Sequence, residues 1–84
     1  SVLKELLTAE GSELHLRPAS HYMQLDTPTP FGAIVQEGFR RSEAVIGVLD
    51  RDPSRPLPDL RMAIDKNELV TLGAEDAVVV VAEE

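Results

Sequence analysis

The chain has 84 residues, with 15 acids against 8 lysines and arginines for a net charge of −7, and no cysteine or tryptophan. One small domain is the most this length allows, burying only about 60% of its unfolded surface, and neither disulfides nor a cysteine-bound zinc can reinforce it. The acidic balance and only three aromatic residues, Phe31, Phe39 and Tyr22, exclude a nucleic-acid partner, which needs a basic face and stacking rings.

Residues 2–7 place Val2, Leu3, Leu6 and Leu7 on one helical stripe, with Gly11 as its stop. Residues 1–11 therefore read as an N-terminal helix or linker, and 12–84 as the core. "SELHLRP", at 12–18, alternates Glu13, His15 and Arg17 against Leu14 and Leu16, the pattern of a half-exposed strand ended by proline. The following segment to Thr29 is polar, with Tyr22, Met23 and Leu25 expected to fold back on the core.

The clearest helix is expected over 30–41. Thr29 can cap it and Pro30 suits a first position that needs no N–H. Phe31, Ile34, Val35 and Phe39 form the apolar stripe, Arg40 and Arg41 complement the C-terminal dipole, and Gly32 and Gly38 allow close packing. "EAVIGVL", at 43–49, is a second strand. Residues 50–59 hold half of the prolines and form a loop. Leu60, Met62 and Ile64 alternate as a third strand, and Leu69, Val70 and Leu72 lead into a turn at 73–76.

The chain closes with "LGAEDAVVVVAEE". Ala77 to Ala82 is an apolar, valine-rich run, too short to cross a bilayer and typical of a strand buried on both faces. Asp76 sits where the chain turns into it, placed for its carboxylate to accept backbone N–H groups. The order helix, strand, helix and three strands predicts an α+β domain: a small sheet of about four strands with one principal helix on one face.

No catalytic constellation is legible. Ser12, Ser20, Ser42 and Ser54 lack an activating neighbour motif, and His15 and His21 lie outside metal-ligand spacing, so both read as surface residues. Asp50, Asp52 and Asp59 offer too few oxygens for calcium, with Arg51 and Arg55 placed to pair with them. No metal or cofactor is expected, and no ligand-binding residue is assigned. Glu83 and Glu84 read as charges that keep the end of a buried strand soluble.

Three stretches, "LKELLTAEGSELHLRP", "EAVIGVL" and "LGAEDAVVVVAEE", together resemble the C-terminal regulatory subdomain of potassium channels and Trk-type uptake systems (the RCK C-terminal or TrkA-C kind), and in particular the Castor/Pollux ion channels. Those relatives commonly place glycine before the turn aspartate, whereas here Glu75 precedes Asp76 and the glycine is Gly73. The resemblance implies that 1–84 is a cytosolic regulatory domain of a longer membrane protein, an origin also suggested by the start at Ser1. It implies ligand sensing and subunit assembly, and a nucleotide-binding Rossmann subdomain elsewhere in the same chain. A passive assembly module with no ligand is the alternative. One helix covers only one sheet face, so a homodimer is expected. Its pairing surface should include Val45, Val48 or the valines of the last strand rather than loop 50–59.

Overall fold

The computed structural model describes residues 12–51 and 53–83. In chain order they form β1 (Ser12–Pro18), a 3-10 turn (Ala19–His21), β2 (Thr29–Pro30), α1 (Phe31–Arg40), β3 (Glu43–Asp50), β4 (Asp59–Met62), β5 (Leu69–Val70) and β6 (Ala77–Glu83). Strands β1, β6, β3 and β4 lie side by side in that order, every pairing antiparallel. The α+β architecture of about four strands under one main helix is the one expected. The helix expected at 2–7, Asp52 and Glu84 lie outside the described residues.

The final strand is central, as its composition requires. Every residue from Ala77 to Ala82 is buried. Because side chains alternate along a strand, Val78 and Val80 point to the helix side, where they meet Ile34, Val48, Phe31 and Tyr22. Met23 and Leu25 also pack against this core, as expected of the segment after β1.

The helix stands close to the sheet because Gly38 has no side chain. A Cβ there would run into Val45 Cγ2 and approach the Glu43 carbonyl to 3.2 Å. At Gly32 it would lie 3.2 Å from the Lys66 carbonyl, so both glycines serve close packing. Phe39 departs from the stripe and is 66% exposed. At about 100° per residue it lies some 80° round the helix from Phe31, past the edge of the buried face.

The helix start differs from the expected cap. Pro30 itself is the N-cap, with no side-chain cap bond, and Thr29 Oγ1 donates instead to the Thr27 carbonyl at 2.9 Å. The orphan N–H groups of Phe31 and Gly32 donate to the carbonyls of Glu68 (2.9 Å) and Lys66 (2.8 Å). A backbone turn thus does the work of a capping side chain. It is held there by the ribbon of β2 and β5, which pairs Thr29 with Val70 and Pro30 with Leu69. The third strand also ends sooner than its alternation suggests. It stops at Met62, because Ala63 takes a positive φ of 54° that no strand accommodates.

Candidate interaction surface

The two faces of the sheet are finished differently. On the face away from α1, Leu14 and Leu16 of β1 stand opposite Val81 and Val79 of β6. Gly47 and Leu49 of β3 lie across from Met62 and Leu60 of β4. Leu14, Leu16, Leu60 and Met62 are 51%, 50%, 56% and 39% exposed. They wall a groove of about 410 Å3, to which Val79, Ile46 and Leu49 contribute the rest of the lining. Among the described residues no charged side chain lines it.

This reverses the expected sense of β1. Its leucines are exposed along with Glu13, while His15 and Arg17 are half-buried. The reason is lateral position. β1 is an edge strand, so on the helix side its polar side chains reach a wet margin beyond α1, while its leucines project to the uncovered face. His15 is correspondingly not a plain surface residue. Its Nε2 lies 3.6 Å from Glu13 Oε2 and lacks a hydrogen-bond partner.

The polar margin converges on Glu43. The Tyr22 hydroxyl donates to Glu43 Oε1, Arg17 Nε lies 3.5 Å from Oε2, and the Arg41 guanidinium lies 5.4 Å from the Tyr22 ring centre. Burial above all, and then the bond to the Glu43 carboxylate, push the Tyr22 phenol well above its ordinary value. Sequence spacing could not show this cluster, since its members come from β1, the following loop, the helix end and β3.

Asp76 occupies the turn as expected. Its Oδ2 accepts the Gly73 N–H at 2.7 Å and its Oδ1 accepts the Arg51 N–H at 2.8 Å. One carboxylate thereby closes the turn into β6 and ties it to the chain leaving β3. Gly73 supplies the turn's first N–H although it does not directly precede Asp76. Arg55 pairs with Asp59 at 3.5 Å, and the backbone N–H of Arg51 donates to Asp76. Among the described residues no three His, Cys, Asp or Glu side chains are placed to hold one metal ion. No described helix is long and apolar enough to cross a membrane.

The residues expected at a pairing surface lie at different depths. Val48 is 1% exposed inside the helix-side core, and Val45 packs against that core beneath Gly38. Of the last-strand valines, only Val79 and Val81 face the open side.

What the structure defines is a small α+β domain with one covered and one apolar, open sheet face. No protein-family profile matches the chain. It is similar to the protein described as probable ion channel CASTOR from Oryza sativa subsp. japonica, with 33% identity over 82 residues. The match takes in 98% of this chain but only 9% of that protein. The relationship is a distant one, to a Castor/Pollux-type channel.

Proposed function

We propose that this chain is a cytosolic regulatory and assembly domain of an ion channel or potassium transporter, of the RCK C-terminal or TrkA-C kind. In that role it senses a ligand and pairs subunits as a homodimer beside a Rossmann subdomain and a membrane portion of the same protein. The observation that carries this reading is the similarity along 98% of the chain to a small part of a probable ion channel.

The open face favours a second reading, of assembly without a ligand. Ligand sites usually combine an apolar pocket with a few convergent polar groups, and this groove has only the apolar part. Electrical recording from the full-length protein tests the proposal. Deleting 12–84 should change open probability or current while leaving the permeation pathway intact. A full-length gene that encodes a soluble enzyme with no membrane segment would overturn it. A ligand that raises the melting temperature separates the sensing from the passive reading.

A further inference from the structure

We infer that residues 2–8 form a short helix whose apolar stripe docks on the open sheet face of the same chain, over β1 and β6. The contact lies within one molecule and is independent of the regulatory reading.

The stripe itself asks for a surface. At about 100° per residue, Val2, Leu3, Leu6 and Leu7 fall within an arc of about 140°, with Lys4, Glu5 and Thr8 on the opposite side. A helix of two turns is marginal alone in water, because nucleation outweighs its few bonds, so it forms here only against an apolar neighbour.

The face beneath α1 is closed to it. Ile34, Val78 and Val80 are fully buried there, which leaves the stripe one sheet surface on which to bury. On that surface the groove of about 410 Å3 is lined by aliphatic side chains and Met62, so a leucine entering it strands no polar side chain.

Position selects the same surface. Gly11 passes directly into β1 at Ser12, and β1 is the edge strand whose Leu14 and Leu16 stand up from the open face. Residues 9–11 are enough to reverse the chain, since connections of about 2–6 residues commonly join a helix to a strand. A segment folded back there lies antiparallel to β1. Seven helical residues rise about 10 Å, against about 7 Å from Leu14 to Leu16, so stripe and ridge agree in length. From β1 to β4 the groove spans three strand spacings, about 14 Å, which admits a helix about 10 Å across. The short turn holds the helix to the near side, on Leu14, Leu16 and Val79. Another partner then reaches the groove only by displacing this segment.

The test is NMR of the unaltered 84-residue chain. Methyl cross-peaks should connect Leu6 and Leu7 with Leu16 and Val79. The amides of Leu6, Leu7 and Thr8, bonded to carbonyls four residues back, should exchange at least about tenfold more slowly than in an unfolded chain. Leu16→Glu should return them to the unfolded rate, whereas Phe39→Glu, at an exposed apolar residue of the helix layer, should leave them protected. Leu6→Glu alters no residue of the sheet and keeps the test decisive if Leu16→Glu fails to fold: it should make the Leu16 methyls more accessible to a soluble relaxation agent. Unfolded-rate exchange of these amides in the unaltered chain overturns the inference. So does protection that survives Leu16→Glu in a folded variant, or Leu16 methyls no more accessible after Leu6→Glu than before. Cross-peaks that arise only between copies, in a mixture of two differently labelled samples, overturn it in favour of a contact between molecules. None of these outcomes touches the regulatory reading, which electrical recording tests separately.

Discussion

The helix-covered face and the open face are built from the same strands and the same aliphatic residues, yet they serve different ends. On the covered face Ile34, Val48, Val78 and Val80 are sealed at 0–1% exposure, and their burial is spent within the chain on folding. On the other face Val79 and Val81 are 3% and 7% exposed, while Leu14, Leu16, Leu60 and Met62 above them are 39–56% exposed. The first face holds the domain together; the second leaves its leucines exposed.

The largest expected effect would come from breaking the covered face. Ile34→Ala removes the side chain that α1 sets deepest into the sheet, and such truncations cost about 2–5 kcal/mol. Against a total stability on the order of 5–10 kcal/mol, the urea midpoint should fall steeply. A loss under about 1 kcal/mol would mean that the helix is not what seals this face.

Asp76→Ala comes next. Two backbone N–H groups lose a charged acceptor at once, at an expected cost of about 2 kcal/mol, read from the shift of the same midpoint. Asp76→Asn should recover part of it, since an amide oxygen can still accept one of the bonds. An unchanged midpoint in the alanine variant would show that the tie between the β6 turn and the end of β3 contributes nothing.

Tyr22→Phe sharpens the comparison at the margin of the covered face. At neutral pH it should cost about 1 kcal/mol for the lost bond to Glu43. The folded chain holds the phenolic proton more tightly than the unfolded chain does. Tyr22 therefore contributes fully below the unfolded value of about 10, and that contribution is lost as pH rises further. Denaturation curves between about pH 8 and pH 11, on either side of the ordinary phenol value, should show an alkaline loss that Tyr22→Phe reduces. Parallel curves for the two proteins would remove the phenol from the account.

The smallest effect on stability belongs to the open face. Leu60→Ser should move the midpoint by no more than about 0.5 kcal/mol, as exposed positions generally do. A cost comparable to that of Ile34→Ala would erase the distinction between the faces.

Much of this was legible in residue order alone. A run of valines between acids has few outlets other than a central strand, and Phe31, Ile34 and Val35 fix the buried side of a helix. Asp76 was recognisable because a turn before a buried strand needs an acceptor. Polarity misled at β1, where Glu13, His15 and Arg17 reach water past the edge of the helix while Leu14 and Leu16 turn the other way. The β2–β5 ribbon left no trace, since two residues per strand carry no period, and it displaced the Thr29 cap by bringing carbonyls from far along the chain. Phe39 shows that a residue on the edge of a stripe follows the rotation of the helix rather than its own hydropathy.

The pairing of β1 with β6 places Ser12 directly across from Glu83, about 5 Å apart as partners in an antiparallel ladder are. A force applied between these two positions meets the ladder at its end and opens its bonds one after another, as a zipper opens. A domain pulled along its strands would have to break them together. Tension passed through these two points is thus met compliantly, and the first part to yield is the β1 edge that carries Leu14 and Leu16. A pull of this kind would dismantle one ridge of the open face while Ile34 and the helix remained seated.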